Sequence, residues 1–115
     1  MKDNRRIQRI NSDILKILSV AINQKVKDDA IQGVTVLSVD TSADLAFAKI
    51  HVSIDGDDAT QQRVFQALVA ASSFLRSEIS ANLKIKSTPQ LRLHLDKGKA
   101  NAARVEELLA QIKGE

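Results

Sequence analysis

Apolar residues recur at Ile7, Ile10, Ile14, Ile17, Leu18, Ala21 and Ile22, the spacing of an amphipathic helix, and predict one from about Asn4 to Val26. After Asp28-Asp29 the period changes. Gly33 opens a β-branched run, Val34-Thr35-Val36-Leu37-Ser38-Val39, and a turn through Asp40 to Asp44 leads to a second run from Leu45 to Ile54. In the second run Ala46, Ala48, Ile50, Val52 and Ile54 alternate with Leu45, Phe47, Lys49, His51 and Ser53. One face is wholly apolar and the other mixed, so the two runs predict an antiparallel hairpin in a sheet covered on one side.

Asp55-Gly56-Asp57 reads as a turn, and Asp58 with Gln61 three residues on is a capping-box-like start to a helix-period segment reaching about Leu83. Its apolar stripe is interrupted near the middle by Ala70-Ala71-Ser72-Ser73, between Val64, Phe65 and Leu68 on one side and Leu75, Ile79 and Leu83 on the other. Two readings stand: one straight helix, or two helices with a kink at Ser72-Ser73. The straight helix, of about 25 residues, is long for a globular domain. Mid-helix serines compete for backbone hydrogen bonds and bend helices, which favours the kink.

Pro89 forces an extended approach to Leu91-Arg92-Leu93-His94-Leu95-Asp96, whose alternation predicts a third strand. Gly98 then breaks the chain. Asn101 caps a final helix with Val105, Leu108, Leu109 and Ile112 on one face, and Gly114 ends it. The predicted order α-β-β-α-α-β-α makes an α+β fold, a layer of helices on one face of a three-stranded sheet, in a single domain over residues 1–115.

Composition narrows the function classes. No cysteine means no disulfide framework and no thiolate metal site. No apolar run approaches a membrane span, and Lys2-Asp3-Asn4-Arg5-Arg6 opens into an amphipathic helix rather than a secretory core, so a soluble cytoplasmic protein is expected. The net charge of +3 hides strong segregation. Residues 1–27 carry seven Lys/Arg against two Asp and residues 28–60 one Lys against seven Asp; residues 61–99 again carry seven basic against two acidic. A folded chain with one positive and one negative side attracts polyanions.

Catalysis is not expected, nor any cofactor or metal. Phosphate-cradling glycine loops are absent, and the four glycines at 33, 56, 98 and 114 are spread out as turns and caps. His51 and His94 both fall on the mixed sheet face, where two imidazoles without a third ligand make a poor metal site. The acidic turns do not follow the twelve-residue calcium loop. Nucleic acid is the better partner. With three Phe in all, and Phe65 and Phe74 expected in the core, recognition should run through phosphates and shape rather than base stacking. The candidate contacts are Arg5, Arg6, Arg9 and Lys16 on the first helix, where Arg5, Arg9, Lys16 and Lys27 share one stripe, then Arg76, Lys84, Lys86 and Arg92. The competing reading of that stripe is a solvated helix face.

The run Val39-Asp40-Thr41-Ser42-Ala43-Asp44-Leu45-Ala46-Phe47-Ala48-Lys49-Ile50-His51-Val52-Ser53 resembles the hairpin signature of the ribosome-binding factor A family of bacterial small-subunit assembly factors. Phe74-Leu75-Arg76 after small residues, Pro89-Gln90-Leu91 followed by Asp96, Val26-Lys27-Asp28, and Arg104-Val105-Glu106-Glu107-Leu108-Leu109 resemble its other signatures in the same order. The resemblance implies a KH-like domain of type II, α-β-β-α-α-β, in which a kink written Ala-x-Gly replaces the G-x-x-G loop and a C-terminal helix is added. The kink falls on Ala71-Ser72-Ser73, with Ser73 in place of the family's glycine, and these three residues join the implied RNA contacts. Asp29-Ala30 stands where a Pro-Arg pair is frequent, and Gln90 where Glu is frequent.

The implied function is non-catalytic: binding the immature 30S subunit and its 16S rRNA near the decoding-site helix and the 5′ end, and promoting late maturation and rRNA processing, often in the cold. The resemblance further implies release with help from an assembly GTPase; a monomer with no membrane partner is expected. The alternative is a KH-like protein-interaction module whose mixed sheet face, Phe47, Lys49 and His51, docks a protein while the basic stripe is only solvated.

Overall fold

The computed structural model describes residues 2–26 and 29–96. Lys27, Asp28, Gly98 and the expected final helix with Val105, Leu108, Leu109 and Ile112 lie outside the described residues. Helix α1 (Lys2–Val20) buries Ile10, Ile14 and Leu18, and continues into a π-helical turn, Ala21–Lys25, closed by Val26 N–H donating to the Ala21 carbonyl at 2.9 Å. That wider turn was not legible in the apolar spacing, which Ala21 and Ile22 continue.

Strands β1 (Val34–Thr41) and β2 (Phe47–Ile54) pair antiparallel, as the hairpin reading expects. The turn sits later in the chain than predicted. Asp40 faces Lys49 and Thr41 faces Ala48, so β1 outruns its β-branched core. Ser42 N–H closes the loop on the Phe47 carbonyl at 2.8 Å, and the Asp44 carboxylate accepts from the Ser42 hydroxyl at 2.7 Å and from Ala46 N–H at 3.0 Å. Leu45, expected to start β2, instead takes φ 61 within this loop, a left-handed conformation rare for a bulky residue; its half-buried side chain packs on the core. A bulge between Val36 and Ser38 leaves Leu37 exposed and returns Val39 to the interior.

Helix α2 (Asp58–Ala70) is capped one residue earlier than predicted. Asp57, not Asp58, accepts from Thr60 N–H at 2.8 Å, while the Gln61 side chain reaches back to the Gly56 carbonyl at 2.8 Å. Helix α3 (Ser72–Asn82) follows after a single residue, Ala71, so the segment is kinked rather than straight. The bend lies at Ala71 rather than at Ser72-Ser73: Ala71 has φ −89 and ψ 6, and its N–H is shared between the Ala67 and Leu68 carbonyls at 3.0 Å each. Among the described non-glycine residues only Leu45 has a positive φ, so the bend at Ala71 forms without left-handed backbone, and Ser73 within α3 needs none of glycine's freedom.

Strand β3 (Gln90–Asp96) lies parallel to β2, giving the order β1-β2-β3. Parallel neighbours need a long crossover, and the α2–α3 pair is that crossover. Ala48, Ile50, Val52 and Ile54 on the inner face of β2 are buried in one cluster with Leu68, Leu75, Ile79, Ile14 and Leu18. The Asn11 side-chain carbonyl accepts from Thr41 N–H at 2.9 Å and ties α1 to β1.

Candidate nucleic-acid interface

On α3 the apolar positions Leu75 and Ile79 point into the core, which leaves Ser72, Arg76 and Ser80, four residues apart, along one flank. With Ser73 and Ser77 they form one wall of a cleft of about 550 Å³, and Thr88, Gln90 and Leu91 form the other. Arg76 sets the distance between the walls. Its Nη2 donates to the Thr88 carbonyl at 2.7 Å and its Nε to the Pro89 carbonyl at 3.1 Å, pinning the chain that leads into β3 against α3. Pro89 is fully buried, and Gln90 N–H donates to the Ala46 carbonyl at 2.9 Å, so this wall is anchored to the hairpin as well.

No side chain caps the start of α3, so the positive end of its dipole opens where Ser72 and Ser73 line the cleft. None of the described residues lining the cleft is acidic. The arrangement offers hydroxyl donors and acceptors, a guanidinium and a helix terminus to an anionic, hydroxyl-bearing ligand.

The basic residues predicted on α1 and after α3 do not line this cleft. Arg5, Arg9 and Lys16 are exposed on α1, away from Ile10, Ile14 and Leu18, and Arg6 is exposed beside them. Lys16 lines a smaller hollow of about 220 Å³ with Ile17, Val20, Lys25, Glu78 and Asn82. There Lys25 pairs with Glu78 at 2.7 Å. Glu78 and Asn82 project from the flank of α3 opposite to Ser72, Arg76 and Ser80, so α3 separates Lys16 from the serine cleft. Lys84 and Lys86 are exposed on the segment between α3 and β3, whose far end Arg76 holds.

Arg92 lies elsewhere. It is on the outer face of the sheet, with its guanidinium carbon 3.9 Å from the centroid of the Phe47 ring. The structure therefore brings Ser72, Ser73 and Arg76 together, places the half-buried Ala71 at the bend behind them, and leaves Arg92 apart. Ser77, Ser80, Thr88 and Gln90 were missed as cleft residues. The spacing Ser72, Arg76, Ser80 is the sequence signal that points to the α3 wall; nothing local marks Thr88 as its opposite.

The acidic block is divided: Asp29 and Asp55 line a separate hollow of about 500 Å³ with Gly33, Gly56, Thr60 and Arg63, whereas Asp40 and Asp44 lie at the hairpin end, where the Ala46 carbonyl meets Gln90 N–H. Asp57, next to Gly56 in the chain, has its carboxyl held below the ordinary range, chiefly by the hydrogen bond from Thr60 N–H. Among the described residues no group of three or more His, Cys, Asp or Glu is placed to hold a metal ion, and no helix is long and apolar enough to cross a membrane.

Comparison with known proteins agrees with this architecture. Ribosome-binding factor A of Rhodopirellula baltica is 34% identical over 112 residues, 97% of this chain and 82% of that protein. The solution structure of a Thermotoga maritima protein provisionally assigned to the same family superposes with a TM-score of 0.71 at 29% identity, over 82% of this chain and 90% of that one. A homology model of the Thermus thermophilus factor, fitted into a cryo-electron-microscopy map of its 30S complex, superposes with a TM-score of 0.57 at 20% identity, over 73% and 88% of the two chains. The KH-like α+β fold expected from the sequence is the fold of these relatives. The family model of ribosome-binding factor A matches residues 6–109, through the hairpin, the kinked helix pair and the proline-led strand alike, and the chain belongs to that family.

Proposed function

We propose that this chain is a non-catalytic ribosome assembly factor that binds the immature 30S subunit through its 16S rRNA and promotes late maturation and rRNA processing. The observation that carries the reading is the acid-free cleft at the uncapped start of α3, where serine and threonine hydroxyls surround a clamped arginine. RNA suits it because backbone phosphates meet the helix terminus while the 2′-hydroxyls exchange hydrogen bonds with the cleft walls. Arg5, Arg6, Arg9 and Lys16 on α1, with Lys84 and Lys86 after α3, supply attraction to phosphate that needs no base sequence. Ala71, Ser72 and Ser73 shape the bend, Arg76 sets the cleft width, and Arg92 adds a contact on the sheet face. The protein acts as a cytoplasmic monomer, including in cold adaptation, and an assembly GTPase releases it when maturation completes. The Thermus relative fitted into a 30S complex supports the choice of particle.

Co-sedimentation with immature and mature small subunits across a salt series tests this. Preferential binding to the immature particle is expected, weakening steeply with salt; each phosphate contact contributes a slope of roughly −0.7 to −0.9 in log affinity against log salt. Changing Arg5, Arg9, Lys84 and Lys86 together to Glu should abolish co-sedimentation with the fold intact. Salt-insensitive binding that survives this change would mean the basic residues are not the contact.

A further inference from the structure

The outer face of the sheet carries two pairs of stacked planar side chains. In the β2–β3 register Lys49 faces Arg92 and His51 faces His94. Arg92 folds back over the Phe47 ring at 3.9 Å, and the two imidazoles stack with centroids 5.5 Å apart and planes 28° from parallel. Both pairs are open to solvent: Phe47, Lys49, Arg92 and His94 are exposed and His51 is half-buried. Counting phenylalanines, as in the sequence, understates such a face, because guanidinium and imidazole are planar as well.

We infer that this outer face is a second RNA-contacting surface, which holds a single-stranded segment by stacking bases on the Arg92–Phe47 and His51–His94 pairs while Lys49 and Arg92 meet its phosphates. Unstacked bases pack on aromatic rings and on guanidinium planes, and an open sheet face is a recurrent platform for them. Arg92 and His94 are separated by one inward residue, which puts the two stacks roughly 6–7 Å apart along β3, within reach of neighbouring nucleotides in an extended strand. An acidic protein segment would use the cations but has no need of paired planes. The choice of RNA as ligand rests on the function proposed above; the surface does not.

The charge on this face depends on the imidazoles. Asp40 on β1, opposite Lys49, and Asp96 at the end of β3, opposite Ser53, offset Lys49 and Arg92, so protonation of His94 tips its sign. Burial, and then the charges of Lys49, His51 and Arg92, hold His94 below its usual range. A stacked base adds to the burial, and a phosphate beside the ring opposes both effects by attracting the imidazolium; with the phosphate dominant, binding takes up a proton and tightens as pH falls.

The test measures binding of a short single-stranded oligoadenylate to the full chain by fluorescence anisotropy between pH 7.5 and 5.5. Affinity should rise several-fold on acidification, by at most about tenfold per pH unit for each proton taken up. The Lys49→Glu, Arg92→Glu pair should weaken binding about tenfold. His51→Gln with His94→Gln should remove the pH dependence while circular dichroism shows an unchanged fold. Wild-type affinity in the charge-reversed pair, a pH response that survives removal of both histidines, or displacement of the oligonucleotide by polyglutamate more readily than by competing RNA would each overturn the inference. Subunit co-sedimentation lost with the oligoadenylate response intact would sink the assembly reading alone. The converse would sink this inference alone.

Discussion

The two faces of the sheet are one residue apart along β2 and have different roles. Inward, Ala48, Ile50 and Val52 have no contact with water and Ile54 almost none; outward, Phe47, Lys49, His51 and Ser53 remain wholly or partly accessible. The inner face contributes stability through burial that has no directional requirement. Charge and planar groups are confined to the outer face, where they stay hydrated and available to a ligand. Substitutions on the two faces should therefore report on different properties of the same strand.

The sharpest way to break that comparison is Ile50→Ala against Lys49→Gln. Removing the fully buried Ile50 side chain should cost about 2–5 kcal/mol in urea unfolding, while the exposed neighbour should change stability by no more than about 0.5 kcal/mol. Comparable losses would mean that the outer face also carries the fold.

A smaller effect is expected at Arg76, which bears on how β3 joins the sheet, since its inward leucines are only half-buried. Arg76→Ala removes the hydrogen bonds to the Thr88 and Pro89 carbonyls and should cost about 1–2 kcal/mol. It should also raise amide exchange in the segment leading to Gln90 before it affects β1. Uniform exchange across the sheet would show that Arg76 is not what holds that segment.

The smallest effect is on pH. His94 lies on the outer face, so its titration reports on that face. The folded state holds His94 below its unfolded value of 6.5, so the neutral form is favoured on folding. This contribution is complete above pH 6.5 and is lost as pH falls through the lowered folded value. Unfolding midpoints should drop modestly from pH 7.5 to 5.5 in the native chain and less in His94→Gln. An equal drop in both would place the titration elsewhere.

Much of this architecture was readable in one dimension. Period-3.6 spacing located α1, and alternation located β2, β3 and the covered side of the sheet, because each pattern is the geometry of a single element facing one core. The interrupted stripe and its length were enough to favour two helices over one. Boundaries were less legible. The hairpin turn moved because Asp44 accepts hydrogen bonds from Ser42 and Ala46, the cap moved from Asp58 to Asp57, and Ala71 rather than a serine took the bend. At the turn and the cap neighbouring polar side chains compete for the same backbone partners, and at the bend one backbone N–H is shared between two carbonyls; in each case the geometry decides the outcome.

By itself the sequence determined the element order, the apolar faces, the segregation of charge and the absence of thiol chemistry, all of which follow from residue type and spacing. Tertiary structure alone decided which distant residues meet. Ser72 and Thr88 share a cleft because the crossover returns the chain parallel to β2, and Arg92 reaches Phe47 because of the register in which β3 joins the sheet. Those contacts belong to no local pattern. They arise where elements buried for hydrophobic reasons leave their polar edges side by side, and the candidate interface is built from such edges.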